Sequence, residues 1–79
     1  MTNNDILKKI RVALKLKDTD IIDILKLAEY DITKSQVSAL FRKEDHKNYI
    51  TCQNQILRKF LNGLIIKHRG NEFYNSKSK

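Results

Sequence analysis

The sequence contains no proline and only two glycines, Gly63 and Gly70, so the residues that most often interrupt a helix are nearly missing from its 79 positions. Leu, Ile and Lys abound, and the apolar residues recur three and four positions apart. Together these predict an all-α chain, a small bundle of four main helices joined by polar turns. The first helix would be capped by Asn3, Asn4 or Asp5 and bury Ile6, Leu7, Ile10, Ala13 and Leu14, with Lys8, Arg11 and Lys15 on its outer face. Asp18 or Thr19 would cap the second, with Asp20 and Asp23 near its positive end and Ile21, Ile22, Leu25 and Ala28 turned inward. Thr33 and Gln36 form a capping-box pattern ahead of Val37, Leu40 and Phe41. The last helix carries the widest apolar stripe, Ile56, Leu57, Phe60, Leu61, Leu64 and Ile65, which is too broad for one neighbour. Lys67, His68 and Arg69 suit its negative end, and Gly70 suits a left-handed cap. Gly63 lies inside that helix at a cost of about 1 kcal/mol relative to alanine, which points to a helix crossing there.

Length allows one domain, expected over residues 2–70 with a flexible polar tail at 71–79, and a chain this short buries only about 60–65% of its unfolded surface. The single cysteine, Cys52, cannot close a disulfide within the chain. Helix packing and self-association are the remaining sources of stability. No apolar run is long enough to span a bilayer, and "MTNNDILKK" lacks the plan of a signal peptide, so the expected location is cytoplasmic, with no membrane partner.

The net charge is +7, from 16 Lys+Arg and 9 Asp+Glu. Met1 to Leu40 holds seven basic and six acidic residues, whereas Phe41 to Lys79 holds nine and three, so the C-terminal half carries nearly all the excess. A basic half is either a solubility feature or a surface for anionic partners.

The stretch "RKEDHKNYITC" brings Asp45, His46 and Cys52 together, residue types that also build metal and nucleophilic sites. One cysteine and two histidines, His46 and His68, fall short of a structural zinc set, and no Cys-x-x-Cys or His-Glu-x-x-His frame is present. There is also no phosphate-binding glycine loop and no dinucleotide fingerprint. The reading is therefore of no enzyme, no cofactor, no metal and no small-molecule substrate. Asp45 and Asn48 are expected to make loop hydrogen bonds, with Tyr49 against the core and Cys52 as a small buried hydrophobe.

The segments "NND", "RVALKLKD", "KEDHKNYITC" and "FLNGLIIKHRG", over about residues 2–70, resemble the YehS-like family of small bacterial proteins, domain of unknown function 1456. The resemblance implies a helical unit that usually occurs twice in one chain, and this sequence is most similar to a second copy. It implies further that surface covered by the other copy is here exposed or covered by a second chain. No catalytic residues come with it.

Two roles follow. The first is a non-enzymatic interaction module, protein-binding or self-associating as a homodimer, with Phe60, Gly63 and Leu64 as candidate contacts. The second is a DNA-binding domain using a helix-turn-helix-like pair at residues 20–43, in which Lys34, Ser35, Ser38 and Arg42 would face outward. Lys34, Ser38, Arg42, Lys43 and Lys47 are the candidate contacts to nucleic acid or an acidic partner.

Overall fold

The computed structural model describes the backbone of residues 1–78 and the side chains of residues 1–69. Four helices follow one another, α1 (Asn3–Leu14), α2 (Asp18–Leu27), α3 (Lys34–Leu40) and α4 (Asn54–Ser78), and among the described residues there is no strand. The all-α, four-helix expectation is therefore met.

The helices begin where local chemistry satisfies their free backbone donors, in two cases one residue or more from the expected caps. At α1 the cap is Thr2: the Asp5 N–H donates to the Thr2 hydroxyl and the Thr2 N–H to the Asp5 carboxylate, both at 3.1 Å. At α2 the cap position is Lys17, whose own N–H donates to Asp20 Oδ2 at 2.9 Å, and the side-chain cap bond expected from Asp18 or Thr19 is not made. Thr33 and Gln36 cap α3 reciprocally, as their spacing predicts. α1 and α2 both end on a non-glycine residue with a left-handed backbone, Lys15 at φ 54° and Glu29 at φ 61°. The next N–H then reaches back five residues, Leu16 to the Arg11 carbonyl and Tyr30 to the Leu25 carbonyl, at 2.9 and 3.0 Å. Leu16 and Tyr30 pack on the core as the apolar residues that close such ends. The backbone of α4 stays helical through Gly70, so that glycine does not end the helix. No proline follows to enforce a stop. The side chains of the tail expected at 71–79 lie outside those described.

The core consists of Leu7, Ile21, Ile24, Leu25, Val37, Leu40, Cys52, Ile56 and Phe60. α2 makes its most extensive contact with α4, and Gly63 explains how close the two lie. A Cβ at Gly63 would overlap the Ile24 carbonyl oxygen and come within 2.8 Å of the carbonyl carbon and of Ile24 Cγ2. The crossing expected there is thus a backbone-on-backbone contact. α1 contributes less than its stripe predicts, since Leu7 is its one buried apolar residue while Ala13 and Leu14 are exposed. Ile24, not singled out in the sequence, is buried, and Ile22 is only half-buried. Arg11, expected on an outer face, instead pairs with Asp18 at 2.8 Å and lies 4.5 Å above the Phe41 ring, linking α1 to the start of α2 and the end of α3.

Candidate interaction surfaces

The connection from Phe41 to Gln53 has no regular secondary structure, and its shape is imposed by α1. Asn4 is the one buried polar residue among those described, and its carboxamide is fully used. It donates to the Leu40 carbonyl at 3.0 Å and the Ile50 carbonyl at 2.9 Å, and accepts from the Cys52 N–H at 2.8 Å. Asn3 adds bonds to the Cys52 carbonyl at 3.1 Å and to Asn54 at 2.7 Å. With Thr2 and Asp5 occupied in the cap, these two asparagines are free to hold both ends of the connection. The signal in the sequence is a Thr-x-x-Asp box that encloses two asparagines: a cap closed by Thr2 and Asp5 leaves the carboxamides of Asn3 and Asn4 spare.

So braced, the connection faces outward with its charged residues. Arg42, Lys43, Glu44, Asp45, His46 and Lys47 are exposed, Tyr49 is half-buried and Cys52 is buried. Desolvation raises the Tyr49 phenol, and Glu44 adds to the effect. Burial likewise pushes the Cys52 thiol up, and Sγ is 3.7 Å from the Gln53 carbonyl. His46 engages Asn48 and Arg42 and makes no hydrogen bond to Cys52. Among the described residues no three of His, Cys, Asp and Glu stand close enough to share a metal ion.

Arg42 borders two shallow grooves. One is shared with Lys8, Phe41, Lys43, Glu44 and Tyr49, the other with Ser35, Gln36, Lys47 and Asn48. Of the candidate contacts, Lys34, Arg42, Lys43 and Lys47 are exposed and Ser38 is half-buried. Lys34 and Ser38 lie on α3; Arg42, Lys43 and Lys47 lie beyond its end.

The wide stripe of α4 divides in two. Phe60 is 0% exposed and Gly63 is pressed against Ile24, so both serve the core within the chain and are out of reach of another molecule. Leu64 is half-buried at the core's edge, as is Leu57. Beside them Leu61 and Ile65 remain exposed, at 39% and 37%. Among the described residues the reachable apolar surface of α4 is therefore Leu57, Leu61, Leu64 and Ile65, to one flank of Phe60 and Gly63. No described helix is long and apolar enough to cross a membrane.

A small all-α unit with a braced basic loop and a half-covered apolar helix flank matches one family model, "Protein of unknown function (DUF1456)", over residues 3–70. The chain belongs to that family. It is 39% identical over 72 residues to "Uncharacterized protein YehS" of Escherichia coli (strain K12), a match covering 91% of this chain and 46% of the relative. The chain thus spans less than half the length of that relative. No solved structure matches it.

Proposed function

We propose that this domain is a non-enzymatic interaction module that self-associates through one flank of α4. The observation that carries this reading is the run Leu57, Leu61, Leu64 and Ile65, in which two half-buried residues at the core's edge adjoin two exposed ones. Leu57, Leu61 and Leu64 are spaced four and three apart, the interval at which two helices pack side by side, and Ile65 widens the strip. Singly exposed apolar residues are ordinary on a small protein, and Val12 among Lys8, Lys9 and Asp5 is of that kind. A contiguous strip beside a core is different, because its half-covered members gain most from a second layer. A second copy supplies an identical strip, so a two-fold pairing is self-complementary. Dilution of isotope-labelled protein tests this. Concentration-dependent amide shifts should map to residues 57–65, and shifts confined to α1 or to the loop at 42–48 would overturn the assignment.

A second reading, DNA binding, is favoured by one feature: α2 and α3 pack directly together, and Lys34 and Ser35 on the exposed side of α3 lead towards Arg42, Lys43 and Lys47. The same pair also counts against it, since α3 has only seven residues and six residues separate it from α2. Duplex DNA at about 50 mM salt is the test, because phosphate contacts are then strongest. Absence of binding there would exclude this reading.

A further inference from the structure

We infer that the loop between α3 and α4 holds a binding site for a phosphate group, built on Arg42 and His46. The His46 ring is fixed by the backbone, since the Asn48 N–H donates to Nδ1 at 3.0 Å. A neutral imidazole carries one ring proton; with Nδ1 accepting, that proton sits on Nε2. Nε2 lies 3.4 Å from Arg42 Nη1, and a guanidinium nitrogen only donates. The contact is therefore between two N–H groups, with no acceptor between them, and an oxygen anion is the partner that satisfies both.

The surroundings favour such a guest. Among the described residues no carboxylate lies within ion-pair distance of Arg42. Lys43 and Lys47 are exposed in the same turn, which is closed by the His46 N–H on the Lys43 carbonyl at 2.9 Å and the Tyr49 N–H on the His46 carbonyl at 2.9 Å. Ser35 and Gln36 line the adjoining groove with Arg42 and Lys47. Two N–H donors side by side suit an oxygen anion, and the exposed positive charges of Lys43 and Lys47 in the same loop favour a multiply charged phosphate over a singly charged carboxylate. Glu44 and Asp45 share the loop and hold the affinity down. In an exposed setting we expect a dissociation constant of roughly 1–10 mM for inorganic phosphate.

The site depends on neither reading above, and its test keeps them apart. Isotope-labelled protein is titrated in separate arms with inorganic phosphate, with sodium chloride at matched ionic strength, and with a short DNA duplex at low salt. We expect saturable shifts at the Asn48 amide and the His46 ring with phosphate but not with chloride. Arg42→Gln should weaken binding at least about tenfold and His46→Ala at least about threefold, while Lys26→Gln, an equal charge change on α2, leaves it unaltered. All three side chains are exposed, so none of these variants is expected to unfold the domain. If the duplex moves the same signals, the natural guest is a nucleic-acid phosphodiester; if only inorganic phosphate does, it is a small phosphate, and the DNA reading fails while the site stands. Equal effects of phosphate and chloride, or unchanged binding in Arg42→Gln, would overturn the proposal.

Discussion

Replacing Gly63 by alanine sets two opposing effects against each other, and the structure decides which is larger. In an open helix the change gains about 1 kcal/mol, because alanine is the better helix former. Here the new methyl would overlap the carbonyl oxygen of Ile24, with its carbon and Cγ2 both at 2.8 Å. A side chain could rotate aside; a carbonyl inside α2 cannot, so α2 and α4 must part by roughly 1 Å. Overpacking costs typically about 1–3 kcal/mol and occasionally more. A gap of this size also forfeits about a quarter to a half of each dispersion contact across it. Ile21, Ile24, Ile56 and Phe60 belong to this part of the core. A gross cost of about 3–5 kcal/mol less the propensity gain leaves a net loss of about 2–4 kcal/mol. A domain of this length has a total stability of about 4–12 kcal/mol. Thermal unfolding followed by circular dichroism should show Tm lowered by about 10–25 °C. An unchanged or higher Tm would refute the close crossing, because only propensity would then be acting.

Three further changes test other parts of the fold. Asn4→Asp puts a carboxyl group against the carbonyls of Leu40 and Ile50, so its folded pKa should rise above the unfolded value near about 3.9; the group then supports folding below that value and ceases to as pH rises through the folded one. Relative to wild type it should lose about 2–3 kcal/mol at neutral pH and recover part of this near pH 4 in urea titrations, and a constant deficit would contradict the brace. Both proteins should weaken in acid, since the Thr2 backbone and hydroxyl bonds hold the Asp5 carboxyl below its ordinary value and that contribution is lost as pH falls through the folded pKa. Glu29→Gly relieves about 1–2 kcal/mol of left-handed strain at φ 61° against about 0.5–1 kcal/mol of added chain entropy, so a gain of about 0.5–1 kcal/mol is expected in denaturant midpoints, and a loss would count against the strain. Cys52, 1% exposed and with its thiol pushed up by burial, should react with a disulfide reagent only as fast as the domain opens, and urea should accelerate it; rapid stoichiometric labelling in buffer would place it at the surface.

The helices were legible in the sequence because their signals are local. Thr33 and Gln36 state the start of α3 within four residues, and Phe60 and Ile56 repeat at the helical interval. What escaped depends on contacts between distant residues. Asn4 reads as a cap because asparagine favours that position, yet its partners lie 36, 46 and 48 residues away. Arg11 sits on the polar side of α1 by periodicity, and only the packing of α1 beside Asp18 and Phe41 gives it a purpose. The stripe of α4 shows that a wide apolar face exists without showing which part α2 covers; Gly63 brings α2 over Phe60 and leaves Leu61 and Ile65 outside. Of the basic candidates, Arg42, Lys43 and Lys47 were identifiable by charge alone. The pairing of Arg42 with His46 requires the folded loop and a proton assigned through the Asn48 N–H.

Sedimentation equilibrium on the wild type and on Leu61→Gln/Ile65→Gln, up to about 500 µM, tests self-association through α4 most directly. Both residues are already partly exposed, so the double variant should keep its fold and its circular dichroism spectrum. We expect the wild type to rise from its 9.3 kDa monomer towards twice that mass with concentration, and the variant to stay at 9.3 kDa. A wild type that remains monomeric throughout, or a variant that associates equally well, would contradict it.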